Sequence, residues 1–171
     1  VVEENNPDTD LIEWMKSVNN DRQSFSEAMI STVDGERSQG NQFIEVVKGE
    51  LNGKKFMKFY NHSMLYVRLA EPKNEEEPPT EVIYSKLFAK TGNQVKIKDA
   101  RRIPLWSPNE LDKNKCWIKD SQGNFRTMLH FKNEVSGIDY YGLPASVAGL
   151  RYQVTEGKYA QYNIDNLDNN L

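Results

Sequence analysis

A single cysteine, Cys116, among 171 residues excludes an intramolecular disulfide framework and any cysteine-cluster metal site. No apolar run approaches the ~20 residues of a membrane span. There is little surplus charge either. A formal net charge of −3 gives no broad attraction to nucleic acid or to an anionic membrane, because few counterions would be released on binding. Two histidines, His62 and His130, lie far apart without HxH or HExxH spacing, so they make a poor metal site. Neither a phosphate-cradling P-loop nor a dinucleotide-binding GxGxxG occurs. The carboxylate run at 75–77 is consecutive, so its members fan apart on a solvated loop rather than pairing as acid and base. Cofactors and metals are expected to be absent, and the chain is expected not to be an enzyme.

What the chain has is 37% hydrophobic and 27% charged residues, with aromatics at 11%. That predicts one ordinary domain with a small, aromatic-rich core and a wide hydrated surface. VVEENNPDTD carries neither a basic start nor an apolar stretch, so it is not read as a secretory signal. The chain is expected to be a fragment of a longer polypeptide.

Asp8 or Thr9 can cap a short helix with Leu11, Ile12, Met15 and Val18 as its apolar stripe and Trp14 flanking it. Ser24-Phe25-Ser26-Glu27 fits a capping box for a second helix over 25–33, burying Phe25, Met29 and Val33 or Ile30 and ending at Asp34-Gly35. From Gly40 the hydrophobic period becomes two. Asn52-Gly53 predicts a β-hairpin over 42–60, with a third strand over 64–69 pairing next. EPKNEEEPPT, 71–80, reads as an exposed loop, with an interaction tail as the other reading. Strands near 81–89 and 94–98 would flank a second hairpin turn at Thr91-Gly92-Asn93. An extended 101–108, a loop-like 109–124 and a strand from Phe125 to Phe131 follow. Pro144 is placed to start a long helix, 144–168, held by packing of Ala148, Tyr152, Tyr159 and Tyr162. The expected class is α+β: two short N-terminal helices, an antiparallel or mixed sheet of short strands, and a long C-terminal helix. A body over 1–143 would carry the helix of 144–171 towards regions absent from this chain.

Lys96, Lys98, Arg101 and Arg102 form the only dense basic cluster, with Trp106 close by. Positive charge beside an aromatic ring can hold a single nucleic-acid strand, and alternating lysines on a strand also protect a sheet edge. His62 reads as a surface turn residue. His130 is expected to bond a nearby backbone group, and Cys116 to be a small buried hydrophobe. The most particular feature is the loop in which Gly137 and Gly142 bracket Tyr140-Tyr141. There Gly142 can supply a positive φ, and the tyrosines either anchor the helix or lie on a subunit contact.

In order, Gly40-Asn41-Gln42-Phe43-Ile44-Glu45-Val46-Val47 resembles the GNAY/GNAF strand of tailed-bacteriophage portal proteins. Met128-Leu129-His130-Phe131-Lys132 followed by Tyr140-Tyr141-Gly142-Leu143-Pro144-Ala145 is similar to their H…YYGLP/S signature. The resemblance spans 40–170, with Tyr162-Asn163 and Asn169-Asn170 fitting a terminal Asn cluster loosely. Residues 71–124 match no part of it, and the acidic, proline-rich loop 71–80 reads as an insertion. The resemblance implies a head-tail connector subunit in a ring homo-oligomer, commonly a dodecamer, at one capsid vertex of the virion, assembled in the host cytoplasm. Its partners would be further copies of itself, the terminase, and capsid and tail proteins. Double-stranded DNA would pass through without tight binding, and no membrane would be involved. ATP would be consumed by the terminase. Gly40, Asn41, Phe43, His130, Tyr140, Tyr141, Gly142 and Pro144 carry the family motifs and are candidate interface residues. Two other classes fit the residues as well: a non-catalytic α+β interaction domain of a non-viral protein, and a small enzyme or single-strand binder working through Lys96–Trp106.

Overall fold

The structure, a computed structural model, describes residues 9–72, 74, 77–91, 96–135 and 140–169. The fold is α+β, with N-terminal helices, two antiparallel sheets and a C-terminal helix. Helix α1 (Thr9–Lys16) and helix α2 (Phe25–Gln39) precede strands β1 (Asn41–Leu51), β2 (Lys54–His62) and β3 (Val67–Leu69). Strand β4 (Glu81–Tyr84), the short helix α3 (Phe88–Thr91) and strand β5 (Arg101–Pro104) follow. Strands β6 (Ile118–Lys119) and β7 (Phe125–Lys132) and helix α4 (Val147–Asn169) complete the order. No helix among the described residues is long and apolar enough to cross a membrane.

The first sheet runs β2-β1-β7-β6 and the second β3-β4-β5. Asn52 and Gly53 both take positive φ, 53° and 77°, the backbone that a two-residue hairpin needs to match strand twist. The hairpin therefore forms in the expected place. Residues 64–69 do not extend it: only Val67–Leu69 is a strand, and it pairs with β4 in the second sheet. The expected hairpin about 91–93 is replaced. β4 stops at Tyr84, α3 follows, and β5 supplies the antiparallel partner. Residues 92–95 lie outside the described ones. The single antiparallel or mixed sheet expected is thus corrected to two sheets, both antiparallel, joined where Leu105 bridges Met128 in parallel.

The core lies between the sheets, where Phe43, Val67, Val82, Ile103 and Met128 are at most 1% exposed. Each large apolar side chain so buried contributes about 1.5–3 kcal/mol. Helices α1 and α2 cover the other face of the first sheet. Trp14 meets the Phe59 ring edge-on at 5.3 Å and donates from Nε1 to the Met57 carbonyl. Asn61 donates to Ala28 O at 2.8 Å. The expected stripe of α1 is corrected by this packing: Leu11, Ile12 and Met15 are exposed, and the flanking Trp14 makes the contact.

Helix α2 has its capping box, with Ser24 Oγ accepting from Glu27 N and Glu27 Oε2 accepting from Ser24 N. It does not end at Asp34-Gly35. Gly35 stays helical, and its missing Cβ leaves room for the Gln42 side chain, whose Oε1 would lie 2.1 Å from that atom. The helix stops at Gly40, which takes a left-handed φ of 74° as its N–H bonds Glu36 O. Ala28 and Thr32 are its buried residues, while Ile30 and Val33 are exposed. Helix α4 starts at Val147, three residues after Pro144, and Pro144 O accepts from Val147 N. Packing of Tyr159 and Tyr162 is overturned, since both are exposed along with every other residue from 154 to 162. The side chains of Ala148 and Tyr152 lie outside the described ones.

Candidate functional site

The motif stretches meet in space. Gly40 turns the chain out of α2 into β1, which places Asn41 at the start of the central strand, fully buried and opposite Lys132 of β7. Its side-chain amide takes the place of a strand neighbour for Gly142. Gly142 N donates to Asn41 Oδ1 at 2.8 Å, and Asn41 Nδ2 donates to Gly142 O at 2.9 Å. Because a backbone N–H only donates, this contact sets the amide's orientation. Asn41 Oδ1 lies 3.0 Å from His130 Nε2, so that ring nitrogen must carry the proton it donates. The His130 ring stacks on Phe43 at 4.5 Å and 8°. Burial, aided by the charge of Lys132, pushes its pKa down to about 4, so the ring is neutral at pH 7. His130 thus bonds a side-chain amide, where a backbone group was expected.

Two further ties lock this clasp. Asn133 N donates to Gly40 O at 2.9 Å, and Asn133 Nδ2 donates to Leu143 O at 2.9 Å. Ala145 N reaches Arg37 O, which ties the root of α4 to the end of α2. Tyr141 OH accepts from Leu69 N at 2.9 Å and so fixes the loop to the second sheet, an anchoring role. Tyr140 is half-buried. Gly142 does not use a positive φ, which among the described glycines belongs to Gly40, Gly53 and Gly123. It is required by close approach instead: a Cβ there would lie 2.1 Å from Gly40 O and 2.6 Å from Asn133 N.

A second constellation, unread in the sequence, centres on Glu45. Within Phe43-Ile44-Glu45-Val46-Val47 this one charged residue is as buried as its neighbours, at 2% exposure. It faces the second sheet, with Tyr60 and Met128 directly beside it, and reaches diagonally to both neighbouring strands. Its Oε2 accepts from His62 Nε2 at 2.8 Å and lies 3.5 Å from Arg101 Nη2, while Oε1 accepts from Arg126 Nη1 at 2.6 Å. Arg126 also donates from Nε to Asp120 at 2.7 Å. Burial alone would raise the Glu45 carboxyl. The hydrogen bonds from His62 and Arg126, with the charge of Arg101, outweigh it and bring the pKa down to about 2. A carboxylate held this way takes up no proton near neutral pH. A lone Glu inside a Val/Ile strand was the available signal, because a buried charge demands partners. Sequence gave no means of naming them.

His62 is accordingly not a surface turn residue. It ends β2 with 14% of its side chain exposed and packs on the Tyr84 ring at 4.6 Å. The basic cluster is not one patch. Lys96 and Lys98 are exposed around a 3₁₀ turn, Arg101 is drawn to Glu45 and over the Tyr84 ring, and Arg102 pairs with Glu81. Trp106 sits 5.7 Å from Lys113 instead. Cys116 is a buried free thiol. Among the described residues no group of three or more His, Cys, Asp or Glu side chains is arranged to hold a metal ion.

No protein-family model, curated protein or solved structure matches the chain.

Proposed function

We propose that this chain is the body of a portal-type ring subunit, one copy of a homo-oligomer through which double-stranded DNA enters and leaves a capsid. The observation that supports the reading is the Asn41 clasp. Three motif stretches far apart in sequence, Gly40-Asn41, His130 and Tyr141-Gly142-Leu143-Pro144, converge on one side-chain amide. Their shared task is mechanical: together they hold the root of α4 rigidly on the body. From that root the helix leaves Val154, Tyr159, Tyr162 and Ile164 uncovered, and Tyr159 and Tyr162, three residues apart, share a face of the aromatic kind subunit contacts use.

On this reading α4 contributes to the ring wall, the body forms the wing outside it, and the subunit performs no chemistry. Terminase, capsid and tail proteins dock on the ring. A net charge of −3 suits a conduit, because many cationic phosphate contacts would create deep wells along the path of the moving duplex. Negative-stain electron microscopy of the parent chain, purified without other viral proteins, tests the reading. Rings of uniform rotational symmetry with a central hole are expected. Dispersed monomers at micromolar concentration favour a non-catalytic interaction domain.

A further inference from the structure

The open part of the first sheet's inner face, beyond the edge of the second sheet, forms a groove of about 1000 Å³ that the Asn41 clasp does not touch. Its floor and rim carry Lys54, Lys55, Lys58 and Arg126, with Phe56 and Tyr60 between them. Two acids share the lining, Glu45 and Glu50. Glu45 is already held by His62, Arg126 and Arg101, so it offers the groove little negative charge. Lys58 donates to Asn20 Oδ1 at 2.7 Å. Lys54 and Lys55 are exposed and have no ion-pair partner among the described residues. With Arg126 taken up by Glu45 and Asp120, Lys54, Lys55 and Lys58 against Glu50 leave the groove with cationic charge in excess.

The same chain contains a segment of opposite character. Residues 71–80, EPKNEEEPPT, hold four glutamates against one lysine. The segment connects β3 to β4 and leaves the second sheet at the Leu69 and Glu81 end. The groove adjoins the other end of β4, where Tyr84 touches His62 and neighbouring Arg101 meets Glu45.

We infer that the groove of one copy docks the acidic, proline-rich segment 71–80 of a second copy. The two surfaces differ, so the contact is heterologous and repeats head to tail, the arrangement that closes rings or propagates filaments. The inference goes beyond the ring reading and stands without it. Lysines on β2, an edge strand, also deter strand pairing. The segment's prolines cannot complete a strand ladder, so its glutamates meet the lysines through charge rather than as an added strand.

Fluorescence anisotropy with a labelled peptide of sequence EPKNEEEPPT, titrated against the full chain, tests this. Saturable binding is expected, weakened about tenfold or more between 50 and 300 mM salt, as screened charge pairs require. A Lys54→Glu/Lys55→Glu variant, checked for native circular dichroism, should lose binding. So should a peptide with its three consecutive glutamates replaced by glutamine, which leaves the protein untouched. No saturable binding, or equal binding by the variant, overturns the inference. Stronger binding of a single-stranded oligonucleotide of matched charge also overturns it and reassigns the groove to nucleic acid. Rings that form normally from the Lys54→Glu/Lys55→Glu chain would reject this contact and leave the portal reading intact.

Discussion

Asn41 and Gly142, 101 positions apart, pair as two strand residues would, with a side-chain amide standing in for one backbone. The contact is a junction of four elements, because the end of α2, the start of β1, the end of β7 and the root of α4 all bond to this pair or to Asn133 beside it.

Asn41→Ala should be among the most damaging single changes. It strands the Gly142 N–H and C=O and the His130 Nε2–H in a buried site, at a cost of about 3 kcal/mol. Urea unfolding checks it. Asn41→Asp, which removes only the donor and sets a carboxylate oxygen against Gly142 O, should be no milder.

Gly142→Ala and Gly157→Ala should move stability in opposite directions. At Gly142 the new Cβ meets backbone atoms on two sides, costing about 2–3 kcal/mol or more and loosening the root of α4. At Gly157, exposed within α4, nothing lies within 4 Å, so the alanine should add about 0.5–1 kcal/mol through helix propensity. Thermal melts of the two variants read the difference. On the proposed ring reading, Gly142→Val, bulkier still, should impair ring assembly, and normal rings from it would sink the role assigned to the loop.

Glu45→Gln should cost about 3 kcal/mol, because it leaves half-buried Arg126 with Asp120 as its one remaining charge partner. Replacing exposed Glu50 instead should cost under about 0.5 kcal/mol. Paired denaturant titrations distinguish them.

Acid should unfold the protein in two stages. The folded His130 has its pKa lowered from 6.5 to about 4, so the unfolded chain binds the proton first. Its contribution, up to about 3 kcal/mol, is complete above pH 6.5 and is lost as the pH falls towards 4. Glu45 and Asp120 also have lowered values, both about 2, so their contributions are lost from about pH 4.5 down to 2. For Asp120, desolvation is outweighed by Arg126 and the backbone N–H groups of Asn124 and Gln122. Urea midpoints measured from pH 8 to pH 2 should show both stages, and His130→Gln should flatten only the first.

Features governed by a few adjacent residues were legible. The Ser24–Glu27 capping box, the Asn52-Gly53 turn and the alternating strands of the first hairpin all stand where the sequence predicts them. Gly35 misled because a glycine after Asp reads as a helix stop, whereas here it makes room for Gln42 from the next element. Trp14 misled similarly. A helical stripe ranks Leu11, Ile12 and Met15 as core, yet Phe25 and Phe59 supply the aromatic surface on the side where Trp14 lies. At the site, Gly40, Asn41, His130 and Gly142 were picked out from motif resemblance alone, and their mutual bonds required coordinates.

The sequence by itself determined the α+β class, the capped helix and the hairpin register, because each rests on local backbone preference or short-range periodicity. Tertiary structure alone decided the division into two sheets and the partners of Glu45. Those depend on which strand edges meet after collapse. His62, Arg101 and Arg126 come from β2, β5 and β7, and no local spacing records that packing β5 across β1 and β7 brings three donor side chains onto one buried carboxylate.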